Sequence, residues 1–561
     1  MTHFFQKNLL LLVILITLLA GFLRFYHIDS IPVSLYWDEA ASAYNAYSIT
    51  QTGKDEYGTS FPVLFRSFED YKMPGNIYLT AIAVLLFGLN EFSARFSSAF
   101  LGTLTVLCSY FLVKELLKLQ KNRLLDGVAP AHAHAGLLTA GLLAISPWHI
   151  QFSRTGFEAN VAVFFLIVGV WFFILSLRKK IFFILSMGVL AVSMYFYLSM
   201  HLFLPLFFLG LFIIFRRELG SMKKTVLAGI FVGLFIVLPL IPAMMSYGGL
   251  ARVGQVNIIT NSEQDVYKEI VQIDKSSSWI QKTIHNRRVV YAKKIITNYF
   301  SHFSPQFLFI SGDQNGRHGP VGMGLLYLWE LPFLLIGIIL LWKSSGKLFW
   351  LVLLWILLAP IPASISVPSP HALRSLNILP MPQLLTALGV LYTFAHIPKR
   401  LMVGASAGLV TVIFFLFAYY LHLYYNVTAL QTSADWADGY KQLVTYVATN
   451  EDRYEKVVVS GYNWQPYIYF LFYTRFDPEE FQQKGSKKEF GKYKFGGTAW
   501  DKEQHSQELD TVNLEEFVGV KHVLFALSPK EYQAHENELK EITTIYDHSR
   551  KAVFIIAEFK T

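Results

Sequence analysis

The sequence is poor in cysteine and in charge, and each shortage excludes a class of protein. Cys108 is the one cysteine among 561 residues and lies in an apolar run, which excludes a disulfide framework and a cysteine metal cluster. Charged residues make up 16% of the chain, whereas soluble globular domains carry about 25%. Hydrophobic residues make up 53%. The composition therefore favours a protein with a large membrane-embedded part.

Apolar runs of about twenty residues recur through the first three quarters of the sequence. Each can cross a hydrocarbon core about 30 Å thick. The first run, Leu9–Phe25, has no small-residue cleavage pattern and is followed by many others. We therefore expect an uncleaved transmembrane helix rather than a removed signal peptide. The chain is predicted to be an α-helical polytopic membrane protein.

The net charge of +9 is explained by membrane topology. Basic residues cluster between apolar runs, for example at 178–180 and 216–224, and such clusters mark cytoplasmic loops. No nucleic-acid partner is predicted. With the clusters inside the cell, the N-terminus is cytoplasmic and about eleven spans follow. They are expected at about 9–27, 94–116, 135–150, 160–177, 181–198, 202–215, 225–245, 324–342, 348–366, 376–396 and 401–421.

This topology places two long loops, 28–93 and 246–322, on the external side of the cell membrane. The first loop contains an apolar stretch, Gly75–Gly88, of about fourteen residues. That length is short for a span and suits a helix lying in the membrane interface.

The composition changes near residue 424, and no later apolar run is long enough to span a membrane. We expect a small extracytoplasmic α/β domain over 424–561, after a transmembrane domain over 1–423. Thr432–Thr449 is predicted to be an amphipathic helix with Ser433 as its N-cap. Short buried strands are predicted at Lys456–Ser460, His522–Leu527 and Val553–Ala557.

Unusual polar residues collect at the predicted external ends of the spans, and each has two interpretations. The adjacent Asp38 and Glu39 are either acidic residues that open a helix, where its dipole favours negative charge, or a general base with a supporting neighbour. Arg154 and Glu158 form either a local ion pair at i,i+4 spacing or a phosphate contact with a positioning carboxylate.

The remaining candidates are basic residues in other external segments. Lys72 and Arg374 are either anchors at the membrane interface or ligands of a phosphate group. His302 and His318 are either structural residues of aromatic-rich loops or metal ligands.

Four motifs, in order, resemble the superfamily of protein O-mannosyltransferases and aminoarabinose transferases, which are polyprenyl-phosphate-dependent glycosyltransferases with the GT-C fold. They are WDEAASAYNAYSI after the first span, the segment from YKMPGNIY to the second span, SPWHIQFSRTGFEANVAVFF, and FLFISGDQNGRHG before a later span. The resemblance covers roughly residues 1–420, and the tail is similar to the variable external domain of bacterial members.

The resemblance implies an inverting glycosyltransferase that moves a hexose or pentose from a polyprenyl-phosphate carrier to a lipid, glycan or protein acceptor on the external face. It implies that Asp38 is the general base, assisted by Glu39 and Glu158. The implied ligands of the donor phosphate are Lys72, Arg154 and Arg374. A divalent metal ion occurs in some relatives, and the candidate ligands in this chain are Asp70, His302 and His318.

Two departures from the family pattern lie next to Lys72. Tyr71 stands where relatives have a glutamate, and Met73 replaces the first proline. The loop 246–322 contains nothing similar to the trefoil-type insert of the protein mannosyltransferases, which weakens the case for a protein acceptor. The sequence leaves the sugar, the acceptor and the oligomeric state open.

Two other functions are consistent with such a chain. A transporter or flippase of a lipid-linked sugar would place ionisable residues near the bilayer midplane, whereas here they lie mainly at the external ends of the spans. The other alternative is a ligase or polymerase of another family that uses lipid-linked glycans. Only the Asp-Glu motif argues against this interpretation.

Overall fold

The computed structural model describes residues 8–560 apart from 69, 121–130, 265, 269–285, 345, 462–464, 497, 502–505 and 510–512. Residues 1–7, predicted to be a cytoplasmic N-terminus, thus lie outside the described part of the chain. The chain divides into two compact units. The first unit is Met1–Tyr26, Asp70–Gly75 and Ser98–His422, and the second unit is His27–Glu69, Asn76–Ser97 and Leu423–Thr561.

Helices dominate the described residues. In chain order they are α1 (Leu9–Phe25), α2 (Trp37–Thr52), α3 (Pro74–Phe87), α4 (Glu91–Leu116), α5 (Ala131–Ile145), α6 (Pro147–Arg154), α7 (Glu158–Ser176), α8 (Ile181–Ser193), α9 (Ser199–Ile214), α10 (Arg216–Gly220), α11 (Lys223–Val237), α12 (Leu240–Met245), α13 (Tyr247–Val256), α14 (Ile258–Asn261), α15 (Arg287–Ser301), α16 (Glu330–Ser344), α17 (Lys347–Leu358), α18 (Ile361–Ser364), α19 (Met381–His396), α20 (Lys399–His422), α21 (Thr428–Gln431), α22 (Tyr440–Thr449), α23 (Pro466–Thr474), α24 (Pro478–Lys484) and α25 (Pro529–Ala534).

The strands are short except for the last two. They are β1 (Phe65–Ser67), β2 (Asp70–Lys72), β3 (Lys456–Val459), β4 (Glu489–Phe490), β5 (Tyr493–Phe495), β6 (Thr498–Asp501), β7 (Ser506–Leu509), β8 (Val523–Leu527), β9 (Leu539–Tyr546) and β10 (Ala552–Phe559).

A helix lies at each of the eleven predicted spans, which confirms the α-helical membrane fold class. Helix α16 begins at Glu330, six residues after the predicted start at 324, because the chain forms turns before it. By length and composition, five helical segments among the described residues are long and apolar enough to cross a membrane. They are Glu91–Leu119, Glu158–Ser176, Lys347–Ser364, Leu376–His396 and Lys399–Gln431. Shorter apolar helices of 10–17 residues accompany them, including α1 and α3.

Helices α6 and α7 meet at a short turn that places Arg154 and Glu158 at adjacent helix ends. Ser146 caps α6, because its side chain accepts a hydrogen bond from the His149 backbone N–H. Helix α7 begins at Glu158, where negative charge is favoured by the helix dipole. Gly102 of α4 faces Ser153, and a Cβ at that glycine would lie 2.7 Å from the serine side chain. The glycine therefore permits close packing of α4 against α6.

The second unit contains a six-stranded mixed sheet in the order β4-β5-β3-β8-β10-β9. Strand β3 pairs in parallel with β5 and β8, with Val458 opposite Phe525, and β10 runs antiparallel to β8 and β9. The three predicted strands correspond to β3, β8 and β10 and are confirmed. Every residue of β8 is buried, which suits a central strand covered on both faces.

The predicted helix over Thr432–Thr449 is shorter than expected. Helix α22 begins at Tyr440, because Ala437 and Gly439 adopt positive φ angles of 51° and 107° that end the preceding turn. Ser433 does not cap this helix. Its hydroxyl donates a hydrogen bond to Asp547 instead, at 3.0 Å.

The core of the second unit combines helix α2 with residues more than 400 positions later in the chain. Ala40, Ala43 and Tyr44 belong to the same buried cluster as residues of α23 and of the sheet. The Tyr44 hydroxyl donates to the Phe476 carbonyl at 3.0 Å, and the Tyr469 hydroxyl donates to the Leu35 carbonyl at 3.2 Å. The helix that carries Asp38 and Glu39 is thus packed against the C-terminal part of the chain.

Candidate functional site

The first unit contains a cavity of about 340 Å³ with two arginines in its wall. Arg252 of α13 and Arg374, which follows α18, line it together with Tyr197, His201 and apolar residues of α9 and α12. An apolar wall with a few convergent polar groups is typical of a ligand site.

Arg374 is held by its own loop. Its guanidinium donates hydrogen bonds to the Ser366 hydroxyl at 2.9 Å and to the Val367 carbonyl at 3.0 Å. Burial lowers the pKa of Arg374, and the positive charge of Arg252 lowers it further, whereas Tyr197 raises it. Because the positive charges of Arg252 and Arg374 repel each other, an anionic ligand that contacts both is favoured.

Arg252 and Lys72 converge on the carboxylate of Asp70. The Asp70 Oδ2 atom accepts a hydrogen bond from the Lys72 ammonium at 2.9 Å and also from the Arg252 guanidinium. Burial alone would raise the pKa of Asp70, yet Lys72 and Arg252 hold it below the usual range. Burial opposes the charge on Arg252, while Asp70 and Glu158 raise its pKa above the ordinary value. Glu158 therefore acts electrostatically on the same group of charges.

The segment that carries Lys72 is clamped on both sides within the first unit. The Gly75 backbone N–H donates to the Tyr195 carbonyl at 2.8 Å, and a Cβ at Gly75 would lie 2.7 Å from the Phe196 ring. On the opposite side, a Cβ at Gly248 of α13 would lie 2.5 Å from the Tyr71 ring. Both glycines are therefore needed for close contact, and the contacts fix the position of β2.

Arg154 lies at the end of α6 and is fully buried. Its guanidinium donates hydrogen bonds of 2.7 Å to the carbonyls of Leu23 and Tyr26, which lie at the C-terminal end of α1. These bonds satisfy carbonyls that a helix end leaves without partners in the helix, and so connect α1 to α6. Its predicted role as a ligand of the donor phosphate stays a prediction.

Histidines and an aspartate form a second group in the first unit. Asp313, His318 and His371 each offer a ligand atom within 4.8 Å of the others. His318 Nδ1 and the Asp313 carboxylate are 2.7 Å apart, and the rings of His318 and His371 are 4.7 Å apart. Burial lowers the pKa of His371 well below its usual value, and Arg374 lowers it further. His371 is therefore neutral at physiological pH, as a metal ligand must be.

One of the three predicted metal ligands, His318, belongs to this group. His302 lies beside it, but both of its ring nitrogens have protein partners: Nδ1 lies 2.7 Å from the Asn298 carbonyl, and Nε2 accepts from the His371 backbone N–H at 3.1 Å. Among the described residues, Asp70 is not part of any such three-residue group.

Asp38 and Glu39 belong to the second unit and occupy the first turn of α2. Glu39 is buried and receives hydrogen bonds from Arg95 at 3.0 and 3.2 Å, while its Oε2 also accepts from the Tyr36 backbone N–H at 3.0 Å. Asp38 is half-buried. Successive residues of a helix point about 100° apart, so the two carboxylates have different surroundings.

Arg95 connects α2 to the segment that precedes it. This fully buried guanidinium also donates to the carbonyls of Ile28 at 2.9 Å, Pro32 at 3.0 Å and Ser34 at 2.6 Å. A single side chain thus satisfies three backbone carbonyls and the Glu39 carboxylate. The Glu39 carboxylate thus helps to fix the turn that carries Asp38, and its predicted role in assisting the general base stays a prediction.

Sequence reasoning missed Arg252 and Tyr197. Arg252 stands alone in YGGLARVGQV, with no motif around it, although Gly248 and Gly249 in the preceding turn indicate close packing. Tyr197 lies in the turn between α8 and α9, within the predicted span 181–198. Lys72, Arg252, Arg374 and Glu158 all act on it electrostatically, which places it among the charges of the site.

Comparison with known proteins agrees with this architecture. Residues 72–242 match the model of the dolichyl-phosphate-mannose-protein mannosyltransferase family. The structure of ArnT from Cupriavidus metallidurans bound to undecaprenyl phosphate is similar to this chain, with 14% identity, a TM-score of 0.57 and 97% of each chain covered. The predicted resemblance to the polyprenyl-phosphate-dependent glycosyltransferases is confirmed.

Other structures give further matches. ArnT from the same organism in the apo state matches with 12% identity, a TM-score of 0.51 and 98% of each chain covered. The oligosaccharyltransferase AglB from Archaeoglobus fulgidus, in complex with an inhibitory peptide and a dolichol-phosphate, matches with 13% identity and a TM-score of 0.46. That alignment covers 84% of this chain and 64% of AglB. No curated protein sequence matches the chain significantly. The ArnT matches extend over nearly the whole chain and establish a shared GT-C fold.

Proposed function

We propose that the protein is a membrane glycosyltransferase that moves a sugar from a polyprenyl-phosphate carrier to an acceptor on the external face of the cell membrane. The observation that carries this proposal is the cavity of the first unit, where Arg252 and Arg374 line an otherwise largely apolar wall. Lys72 lies next to Arg252, because both donate hydrogen bonds to the carboxylate of Asp70. A lipid with a phosphate head requires this combination of apolar surface and fixed positive charge.

The phosphate is the leaving group of the reaction, so the cations have a catalytic role. The donor is a phosphodiester with one negative charge, and the departing polyprenyl phosphate gains a second as the bond to the sugar breaks. Lys72, Arg252 and Arg374 stabilise this developing charge with fixed donors. Arg154 is proposed as a further ligand of the phosphate, because it ends α6 four residues before Glu158, which acts on Arg252.

Asp38 is the proposed general base. Its carboxylate takes the proton of the acceptor hydroxyl, the hydroxyl oxygen bonds to the anomeric carbon, and the bond from that carbon to the phosphate oxygen breaks with its electron pair. Attack opposite the leaving group inverts the anomeric configuration. Glu39 positions Asp38 through the ion pair with Arg95, and Glu158 assists through its effect on Arg252.

A divalent metal ion is a proposed cofactor, held by Asp313, His318 and His371. The donor set suits Zn²⁺, which binds imidazole nitrogen and carboxylate oxygen in sites that keep a position open. Asp313 also accepts a hydrogen bond from the Ala372 backbone N–H at 2.7 Å, which holds its carboxylate beside His318. When bound, such a metal supplies Lewis-acid stabilisation of negative charge.

The acceptor is a lipid, a glycan or a protein, and the donor sugar is a hexose or pentose. The proposal includes a cytoplasmic N-terminus and puts the loops 28–93 and 246–322 and the domain over 424–561 on the external side. The distribution of basic clusters supports this orientation. Nucleotide sugars are confined to the cytoplasm, so a lipid-linked donor suits a site on this side.

Binding of undecaprenyl phosphate tests the proposal. Purified wild-type protein should bind this lipid much more tightly than undecaprenol, which has the same chain without the phosphate. Arg374→Ala should reduce affinity for undecaprenyl phosphate by roughly tenfold to a hundredfold, and leave affinity for undecaprenol unchanged. Arg400→Ala, which removes an exposed arginine at the start of α20, is the matched control. Equal affinity of the wild-type protein for the two lipids would reject the proposal.

A further inference from the structure

Asp70 occupies the position that an anionic ligand of Lys72 and Arg252 would take. Its Oδ2 atom accepts hydrogen bonds from the Lys72 ammonium and the Arg252 guanidinium. Its Oδ1 atom accepts a hydrogen bond from the Tyr71 backbone N–H at 2.7 Å. Asp70, Lys72 and Arg252 are all largely shielded, with side-chain exposures of 12% to 19%. Because water screens these charges little, Asp70 affects the affinity of any anion that contacts Lys72 and Arg252.

The carboxylate cannot easily turn away from the two cations. Asp70 and Lys72 lie on strand β2, which is fixed by the contacts of Tyr71 and Gly75 described above. Arg252 lies on α13, against which Tyr71 packs at Gly248. A phosphate that reaches Lys72 and Arg252 therefore has a carboxylate as a permanent neighbour.

The repulsion between this carboxylate and a bound phosphate depends on the charge of the phosphate. The phosphodiester of the donor carries one negative charge, whereas the polyprenyl phosphate that remains after transfer carries up to two. Like charges side by side weaken binding, so Asp70 weakens binding of the product more than binding of the donor.

We infer that Asp70 is an internal competitor for Lys72 and Arg252, and that it limits the affinity of the site for the polyprenyl phosphate product and so promotes its release. This inference rests on the proposed function. It gives Asp70 a role in turnover in place of the predicted role as a metal ligand. A purely positioning role for Asp70 would have the opposite sign, because its loss would then weaken phosphate binding.

Asp70→Asn tests the inference, because it removes the charge and keeps the shape of the side chain. We expect undecaprenyl phosphate to bind this variant about tenfold more tightly than the wild type, with the change mainly in the dissociation rate. With a transferable donor, kcat and KM should fall together, because product release becomes slower. Asp70→Glu keeps the charge and should stay within about twofold of the wild type.

The outcomes separate this inference from the function on which it rests. If the wild type binds undecaprenyl phosphate and Arg374→Ala binds it weakly, but Asp70→Asn binds it no more tightly than the wild type, the inference fails and the proposed function stands. If the wild type does not bind the lipid, both fail. Asp70→Ala provides a second charge-removing variant should the asparagine variant not fold, and the melting temperature of each variant is measured first.

Discussion

Replacing Arg95 with methionine should destabilise the second unit severely. The substitution keeps an unbranched apolar chain but removes the guanidinium that contacts Glu39, Ile28, Pro32 and Ser34 at 2.6 to 3.2 Å. The Glu39 carboxylate, 2% exposed, would then be a buried charge without this cation. Removing one partner of a buried ion pair costs about 3 to 5 kcal/mol.

The expected loss is measured by thermal unfolding of the purified protein in detergent, followed by intrinsic fluorescence. A loss of this size corresponds to a fall in Tm on the order of 10 °C for a unit of roughly 150 to 250 residues. The double variant Glu39→Gln, Arg95→Met should be more stable than the sum of the single changes predicts, since neither charge then remains buried alone. Arg453→Met, at an exposed arginine of the second unit, is the control. If Arg95→Met melts within about 2 °C of that control, the buried ion pair does not hold α2 in place.

Two further predictions concern Glu56 and the histidine group. Burial raises the pKa of Glu56 to about 7, despite a hydrogen bond from Asn45 at 3.3 Å. The folded state therefore keeps a proton that the unfolded state releases near pH 4.5, so this group makes stability fall as pH rises from about 4.5 to about 7, by up to about 3 kcal/mol. Glu56→Gln should remove this part of the pH dependence of stability, which is measured by thermal unfolding at pH 5 and pH 8. If the variant showed the same difference in stability between the two pH values as the wild type, the prediction would be wrong. Purified protein should contain about one zinc ion per chain by elemental analysis, and His371→Ala should lose it while His396→Ala, at an exposed histidine, keeps it. A His371→Ala protein with wild-type zinc content would show that the metal lies elsewhere.

The helices were predictable because a membrane imposes a length on each apolar run. All eleven expected spans contain a helix, and the apolar strands KVVV and VLFAL of the tail were recognised from β-branched and aromatic residues alone. The start of α22 was predicted wrongly because Ala437 adopts a left-handed conformation, which an alanine in a sequence does not indicate. Ala437 is buried in the core cluster of the second unit.

The site was harder to predict, because its groups meet through tertiary structure. Asp313 and His371 are 58 positions apart, and Asp70 and Arg252 are 182 positions apart. The sequence predicted Asp70 as a site residue but did not single out Arg252, and it could not show that the two residues meet. The resemblance implied different roles for Asp38 and Glu39, but the sequence did not show that Arg95, which lies 56 positions after Glu39, binds the Glu39 carboxylate.

The most direct test of the account is a transfer assay with Asp38→Asn. Wild-type protein in liposomes is given a panel of radiolabelled polyprenyl-phosphate sugars and the total cell-envelope fraction as acceptor. We expect the wild type to transfer one of these sugars, and Asp38→Asn to bind undecaprenyl phosphate normally but to transfer at least a hundredfold more slowly, since general-base catalysis contributes about 10² to 10⁴. Asp29→Asn, at an exposed aspartate in the same loop, should behave as the wild type. Transfer by Asp38→Asn at the wild-type rate would contradict the account.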